Sequence, residues 1–496
     1  MKTITHYFPL LLIAALATSL GCNDFLDKEP LGDLSSSTFY ETEQDAVLAT
    51  NAIYNANRAW FITGGFPILD ILSDDMTKGS NPTDGAGLIE VDSFRFTPDQ
   101  GQIQQMYAAL YVGILRANLV LNRAPSIPMD DDLKTRLLAE AHFLRAYFYF
   151  KLVRAFGGVP MVTTEDPPRQ LERAPADELY NEIIIPDLEF AAANLPEKSA
   201  YGEADLGRAT RGAALGLLAK VYLFRGDYQN TERLALEVIN SGEYSLDPDF
   251  DNVHSATNVF GSGSLFEIGA ITEEFSDGGN QYGQTQGVRG VPSKGWGFGR
   301  PTYDLITFFE ANDPRLDASV VFLGDTIAGE VILGDGGTPD TIYVDAAQTQ
   351  IEQIETYNQK VYMPGDIPDV QFGHNRILLR YADVLLMAAE ALNENGKPAQ
   401  ALEYLNQVRT RARGGATGVL PDVTTTDQAA LRQAIWDERR AELALEEHRF
   451  FDLVRTGQAA TVLAPLGFTP NKNELLPIPQ GEIDISEGVL RQNPGY

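Results

Sequence analysis

Side chains that could break or form bonds are few in this chain. Outside the first 21 residues the histidines are His142, His254, His374 and His448. They are scattered and show no His-Glu-x-x-His spacing, which would set two metal ligands on one helix face. There is no Gly-x-Ser-x-Gly nucleophile elbow and no phosphate-binding glycine loop. Two carboxylates suffice to hydrolyse a glycosidic bond, but nothing singles out one pair among 69 acidic residues. The residues that do stand out are aromatic. Positions 57–85 hold Trp60, Phe61 and Phe66, with Asp74, Asp75 and Asn81 close by. Positions 278–304 hold Tyr282, Gln284, Arg289, Trp296, Phe298 and Arg300. Exposed aromatic side chains among glycines are costly to leave wet unless they meet something, so these stretches suggest stacking and hydrogen bonding. Asp74 and Asp75 could cap a helix or bind calcium. One acidic pair lacks the ligand count and spacing of a calcium loop, so no metal and no cofactor is assigned.

The remaining reactive group is Cys22, the one cysteine of 496 residues. Lys2 and the apolar run Phe8–Leu20 precede it, which is the layout of a secretory leader over residues 1–21. "SLGC" resembles the lipobox of bacterial lipoproteins, with Ser19 where leucine is usual. The resemblance implies cleavage before Cys22 and diacylglycerol attachment to its thiol. Each buried acyl methylene contributes about 0.8 kcal/mol and more than one chain is needed for a stable anchor, so a lipidated Cys22 would hold the protein on a membrane. Asp24, Asp27 and Glu29 follow the cysteine, resembling the signal that sends such lipoproteins to the cell surface.

Removing residues 1–21 leaves 37 basic against 69 acidic residues, a net charge of −32. Such a surface repels phosphate backbones, which argues against nucleic acid as a partner. Residues 22–40 read as an extended tether, because Pro30, Gly32 and the Ser35–Ser37 run oppose helix. Helical periodicity dominates 41–244. In 131–156 Leu133, Leu137, Ala141, Leu144, Phe148, Leu152 and Ala155 recur every three or four residues, and "GGVP" should end that helix. Leu218, Ala219, Tyr222 and Gly226 follow the spacing of a tetratricopeptide-like helix pair, and Ala388, Ala389, Leu392, Gly396 and Ala401 repeat it. Between the copies, residues 245–375 read as a loop-rich excursion with short strands; Gly261 to Gly299 alone hold 11 glycines. Residues 376–496 return to helix.

The C-terminal part carries the most specific motifs: "NRILLRYADVLLMAAEALNENG", "ALEYLNQVRTRA", "DERRAELALEEHRFFDLVRTG", "LLPIPQGEI" and the final "QNPGY". Together with "CNDFLDKEP" and "ANDPR", they resemble, in order and over the whole mature chain, the SusD/RagB family of outer-membrane lipoproteins. The blocks themselves read as scaffold. Leu378, Tyr381, Leu385, Ala388 and Leu392 form an apolar stripe, and Arg439, Arg440, Glu442, Arg449, Asp452 and Arg455 are placed to form an ionic network.

The resemblance implies a mainly α, single large SusD-like domain built on tetratricopeptide-like helix pairs, with the loop-rich excursion facing the ligand. It also implies a binding protein and not an enzyme: a cell-surface lid over a SusC-like TonB-dependent transporter, holding an oligosaccharide or a peptide. A peptide-binding RagB-like receptor and a tetratricopeptide-type adaptor are the alternatives. Sugars present flat apolar faces rimmed by hydroxyls, so the expected platform is aromatic with polar neighbours. Tyr282 is the first expectation, flanked by glycine and polar residues. Trp296 is open between platform and packing. Trp60 contributes from the other stretch unless it closes a helix inward. Phe298, Arg289, Asp74 and Asp75 complete the expected ligand-binding set.

Overall fold

A computed structural model describes residues 39–64, 66–272, 281–336, 341–344, 350–352, 355–365 and 373–496. Cys22, the leader and all of the tether before Phe39 lie outside the described residues. The helices are α1 (Glu43–Ala56) and the single turn α2 (Trp60–Thr63), then, after strand β1 (Met76–Gly79), α3 (Gly101–Arg123), α4 (Asp131–Phe156), α5 (Ile185–Asn194), α6 (Arg211–Phe224) and α7 (Tyr228–Ser241). The excursion follows, with β2 (Ser264–Ile268), the short helix α8 (Tyr282–Gln286), β3 (Phe298–Pro301), β4 (Val320–Phe322) and β5 (Thr356–Asn358) among its elements. Strand β6 (Arg376–Arg380) leads into α9 (Tyr381–Glu394), α10 (Pro398–Arg413), α11 (Gln428–Leu443) and α12 (Arg449–Arg455).

Local chemistry sets the helix ends. Thr42 and Asp45 close a capping box at α1. Asp130, Thr210, Asp227 and Asp427 accept a backbone N–H at the starts of α4, α6, α7 and α11. Helix α4 spans the interval its periodicity predicts and ends where Gly157 turns to φ +71°. Gly226 and Gly396, at φ +70° and +75°, make the same turn in the two repeat copies. Thr231, where a small residue is expected, is accommodated because its hydroxyl donates to the Asp227 carbonyl at 2.9 Å.

The helices stack in succession, α3 on α4, α4 on α5, α5 on α6 and α6 on α7. Helix α7 then packs directly on α9, so the excursion leaves and rejoins the scaffold at neighbouring points. Antiparallel pairing of β2 with β6 ties its neck. The buried apolar faces merge into one large cluster, with a small satellite of Val288, Val321, Ile332, Tyr357 and Tyr362 inside the excursion.

Charge is buried alongside this core. Arg315 meets Asp313, Glu438 and Glu442; Arg380 meets Glu442 and Glu446. Arg439 pairs with Asp383 and Asp452, and Arg455 with Glu390 and Asp452. Arg440 and Arg449 reach Asp74. The C-terminal charges therefore form the expected ionic network, and it fastens the excursion to the last helices. Such pairs persist in low dielectric because each charge has several partners.

Candidate functional site

The two aromatic stretches begin 221 residues apart in sequence, at 57 and 278, and a two-stranded ribbon joins them. β1 and β3 pair antiparallel with Met76 opposite Pro301, Thr77 opposite Arg300 and Gly79 opposite Phe298. Past the ribbon, the Ser80 N–H donates to the Gly297 carbonyl at 2.5 Å. The Gln286 side chain donates to the Gly64 carbonyl at 2.7 Å and accepts from Asn358 at 2.9 Å, so α8 is pinned to the loop after α2. Gly297, at φ +72°, lets the chain turn between Trp296 and Phe298. A β-carbon there would lie 3.0 Å from that of Arg289.

The result is a continuous aromatic group. The Trp60 ring lies 5.9 Å from Trp296 and 5.3 Å from Phe66. Phe66 packs 5.7 Å from Phe61 and 5.2 Å from Phe298. Burial is graded through the group. Phe61 and Phe298 are buried, Phe66 and Trp296 half-buried, and Trp60 is 39% exposed. The outer rings thus offer a surface and the inner rings support it, through edge-on, tilted and, between Phe61 and Phe66, stacked contacts of the kind aromatic quadrupoles favour.

Polar groups frame this face. Arg289 is bound to Asp84 at 2.6 Å, to the Ser80 hydroxyl at 3.0 Å and to Asp335 at 3.1 Å, with about a third of its side chain exposed. The Asn81 side chain holds its own turn, accepting from the Thr83 N–H and hydroxyl. Lys78 sits 5.6 Å over the Phe298 ring and donates to the Asn81 carbonyl. Burial lowers its pKa to about 8.

Four expected ligand residues are placed elsewhere or beneath the surface. Tyr282 is not an exposed loop aromatic: it begins α8 and is 4% exposed. Its ring meets His374 edge-on at 5.9 Å and lies under the Arg376 guanidinium at 5.0 Å, and burial pushes its hydroxyl pKa up. Phe298 supports the face from below. Asp74 and Asp75 are buried and committed to arginines. Asp74 accepts two bonds from Arg449, at 2.8 and 2.7 Å, and Asp75 accepts from Arg440 at 2.8 Å. Burial would raise both acids. The Arg449 hydrogen bonds and the Arg440 charge outweigh it at Asp74, which stays low, while at Asp75 burial and the neighbouring Asp74 carboxylate outweigh Arg440 and the group is raised. These acids fasten the base of the face and are not open to a ligand. Trp60, Trp296 and Arg289 are the expected residues that the structure brings together.

Known proteins share this chain from end to end. Residues 262–496 match the SusD family, and residues 24–223 match a family described as starch-binding and associating with the outer membrane. SusD-like protein P2 of Formosa agariphila is 31% identical over 519 residues, covering 99% of each chain. The chain belongs to the SusD family. Among solved SusD structures, a laminarin-binding SusD-like protein superposes with a TM-score of 0.78 at 30% identity, covering 92% of this chain and 100% of the other. The surface glycan-binding protein A of Bacteroides fluxus superposes with a TM-score of 0.75 at 27% identity, again covering 92% and 100%. The mainly α SusD fold is therefore common to all three. No helix among the described residues of this SusD-family chain is long and apolar enough to cross a membrane.

Sequence reasoning named Phe66 in its stretch but not as the ring on which both tryptophans converge. Ser80, Asp84 and Asp335, the partners of Arg289, went unnamed. "GSNPTDG", with its turn-forming residues, was the available signal for the first two.

Proposed function

We propose that this protein is a cell-surface lipoprotein, anchored through Cys22, that binds an oligomeric glycan on the Trp60–Phe66–Trp296 face and delivers it to a SusC-like TonB-dependent transporter. One observation carries the binding site: two tryptophans 236 residues apart in sequence lie 5.9 Å from each other on a graded aromatic base, with the outer ring exposed. Sugar rings stack on such faces while their hydroxyls reach flanking charged and amide groups. Arg289, with Ser80 and Asp84, supplies those groups beside Gly297. The names of two superposing proteins, laminarin-binding and surface glycan-binding, support a glycan over a peptide.

The proposed role is capture without turnover. Asp84 and Asp335 flank the face and are paired with Arg289, an arrangement that positions a guanidinium, and the Arg289 hydrogen bond holds the Asp84 carboxyl below its ordinary range rather than poising it as a proton donor. Purified mature protein on a glycan array, followed by product analysis of each retained glycan, tests this reading. Retention with intact glycan supports it. Depolymerised glycan, or retention of peptides only, refutes it. Recovery of a TonB-dependent transporter with the protein from solubilised outer membranes tests the partner.

A further inference from the structure

On the reading of the Trp60–Trp296 face as a glycan site, we infer that the glycan it takes is neutral, without carboxylate or sulfate groups, and that Asp84 and Asp335 are the residues that turn anionic glycans away.

A carboxylate or sulfate gives up water only for strong, charge-assisted partners, so a receptor for an anionic polysaccharide needs cations free to meet it. The excursion has few cations and uses them itself. Residues 245–375 hold 20 acidic residues against five basic ones. Lys294 is buried on Glu330 at 2.6 Å and also donates to the Gly365 carbonyl. Arg300 is buried 3.8 Å from Glu355, and Lys360 is buried on Glu446 at 2.6 Å. Arg315 is buried among Asp313, Glu438 and Glu442. Arg289 is the fifth, and it alone of these reaches the surface, beside Gly297.

Arg289 is occupied twice. Asp84 accepts from its Nη1 at 2.6 Å, and Asp335 lies 3.1 Å from its Nε. One positive and two negative charges leave this rim at −1. The Arg289 hydrogen bond holds the Asp84 carboxyl below its ordinary range, so Asp84 stays ionised. Asp84 is also the more open of the pair, with 40% of its side chain exposed against 15% for Asp335. An arriving carboxylate or sulfate therefore meets like charge wherever it meets the guanidinium. A sugar hydroxyl meets no such conflict, because it can donate to Asp84 and accept from an N–H.

The cations around the other aromatic stretch do not change this balance. Lys78 is buried against Phe298 and donates to the Asn81 carbonyl. Arg376, which passes beside Gly64, is buried on Glu447 at 3.1 Å. Arg58 is half-buried and lines a cleft together with Tyr54, Phe260 and Glu267.

An array carrying neutral, uronate-bearing and sulfated glycans separates the outcomes. The wild-type mature protein should retain neutral glycans only, and Trp60→Ala/Trp296→Ala should lose them. A uronate-bearing or sulfated glycan retained by the wild type and lost by that double variant, through Arg58 or any other cation, overturns this inference and leaves the aromatic face standing. Retention that the double variant keeps, or no retention at all, refutes the face and the inference with it. The two acids are tested by calorimetry on the retained glycan, carboxymethylated or hydroxyethylated to equal extent. In about 50 mM salt the carboxymethyl form should bind at least about tenfold more weakly than the hydroxyethyl form. The gap should shrink to about threefold or less in about 500 mM salt, and likewise in Asp84→Asn/Asp335→Asn. The salt series needs no variant, so it decides the matter should that protein melt early. Equal binding of the two forms by the wild type overturns the inference. A gap unchanged by salt, or unchanged in a folded Asp84→Asn/Asp335→Asn protein, overturns the role given to the two acids.

Discussion

Replacing Trp60 by alanine is the most direct probe of the aromatic face. Trp60 is the outermost ring at 39% exposed. A tryptophan side chain offers up to about 250 Å², so roughly 100 Å² remains for a ligand. A sugar covering about half of that area would gain near 1.2 kcal/mol at about 25 cal/mol per Å². Stacking adds about 1 kcal/mol. The loss on Trp60→Ala should therefore be about 2 kcal/mol, a rise of roughly 30-fold in Kd. Stability should fall as well, because the covered part of the ring packs on Phe66 and Trp296, so affinity is measured well below the melting temperature of the variant. The assay is calorimetric titration with the glycan retained on the array, alongside thermal melting. Trp296→Ala is the companion: half-buried, it should lose both affinity and melting temperature. An unchanged Kd for Trp60→Ala would refute the placement of the ligand on this face.

Tyr282→Ala should destabilise the fold by about 3–5 kcal/mol, the range for emptying a buried aromatic site, as read by urea unfolding; an unchanged midpoint would contradict its burial. Asp74→Ala removes a carboxylate shared by Arg440 and Arg449 and should cost about 3–5 kcal/mol, because the buried Arg440 and the half-buried Arg449 both lose a partner. Stability should fall steeply below about pH 4. Burial is outweighed by Lys220 and Arg439 at Asp383, by Arg411, Arg380 and Arg315 at Glu442 and by Arg439 and Arg455 at Asp452, which holds all three acids low, so their stabilisation is present above the unfolded pKa and lost as pH falls. Asp70 and Asp92 act with the opposite sign: burial raises each from 3.8 to about 7, so their contribution is full below 3.8 and is lost as pH rises from there through 7, which places the melting-temperature maximum near pH 4. In Asp92→Asn the decline from about pH 4 to 7 should shrink; a decline of undiminished size would rule out Asp92 as a source. Cys22→Ser should abolish fatty-acid labelling and release the protein from the membrane; label retained on the variant would place the anchor elsewhere.

The sequence alone determined the parts of this protein that local rules govern. The 3.6-residue apolar period of 131–156, with glycine at 157 and 158, located α4 because amphipathic helices and their terminators are written in consecutive residues. The two glycine-turned helix pairs were legible for the same reason. The order of the C-terminal motifs indicated the family, and the charge pattern of 437–457 indicated an ionic network. Which side chains face a ligand was decided only in three dimensions. Tyr282 lies among glycines in sequence, yet α8 turns it under Arg376 and against His374. Asp74 and Asp75 look free beside Trp60 until Arg440 and Arg449 arrive from more than 360 residues away. The aromatic face exists because β1 finds β3, a pairing that no local pattern specifies. Short strands carry little register information of their own, and burial depends on what the rest of the chain lays over them. Local periodicity therefore placed the scaffold, whereas long-range pairing placed the site.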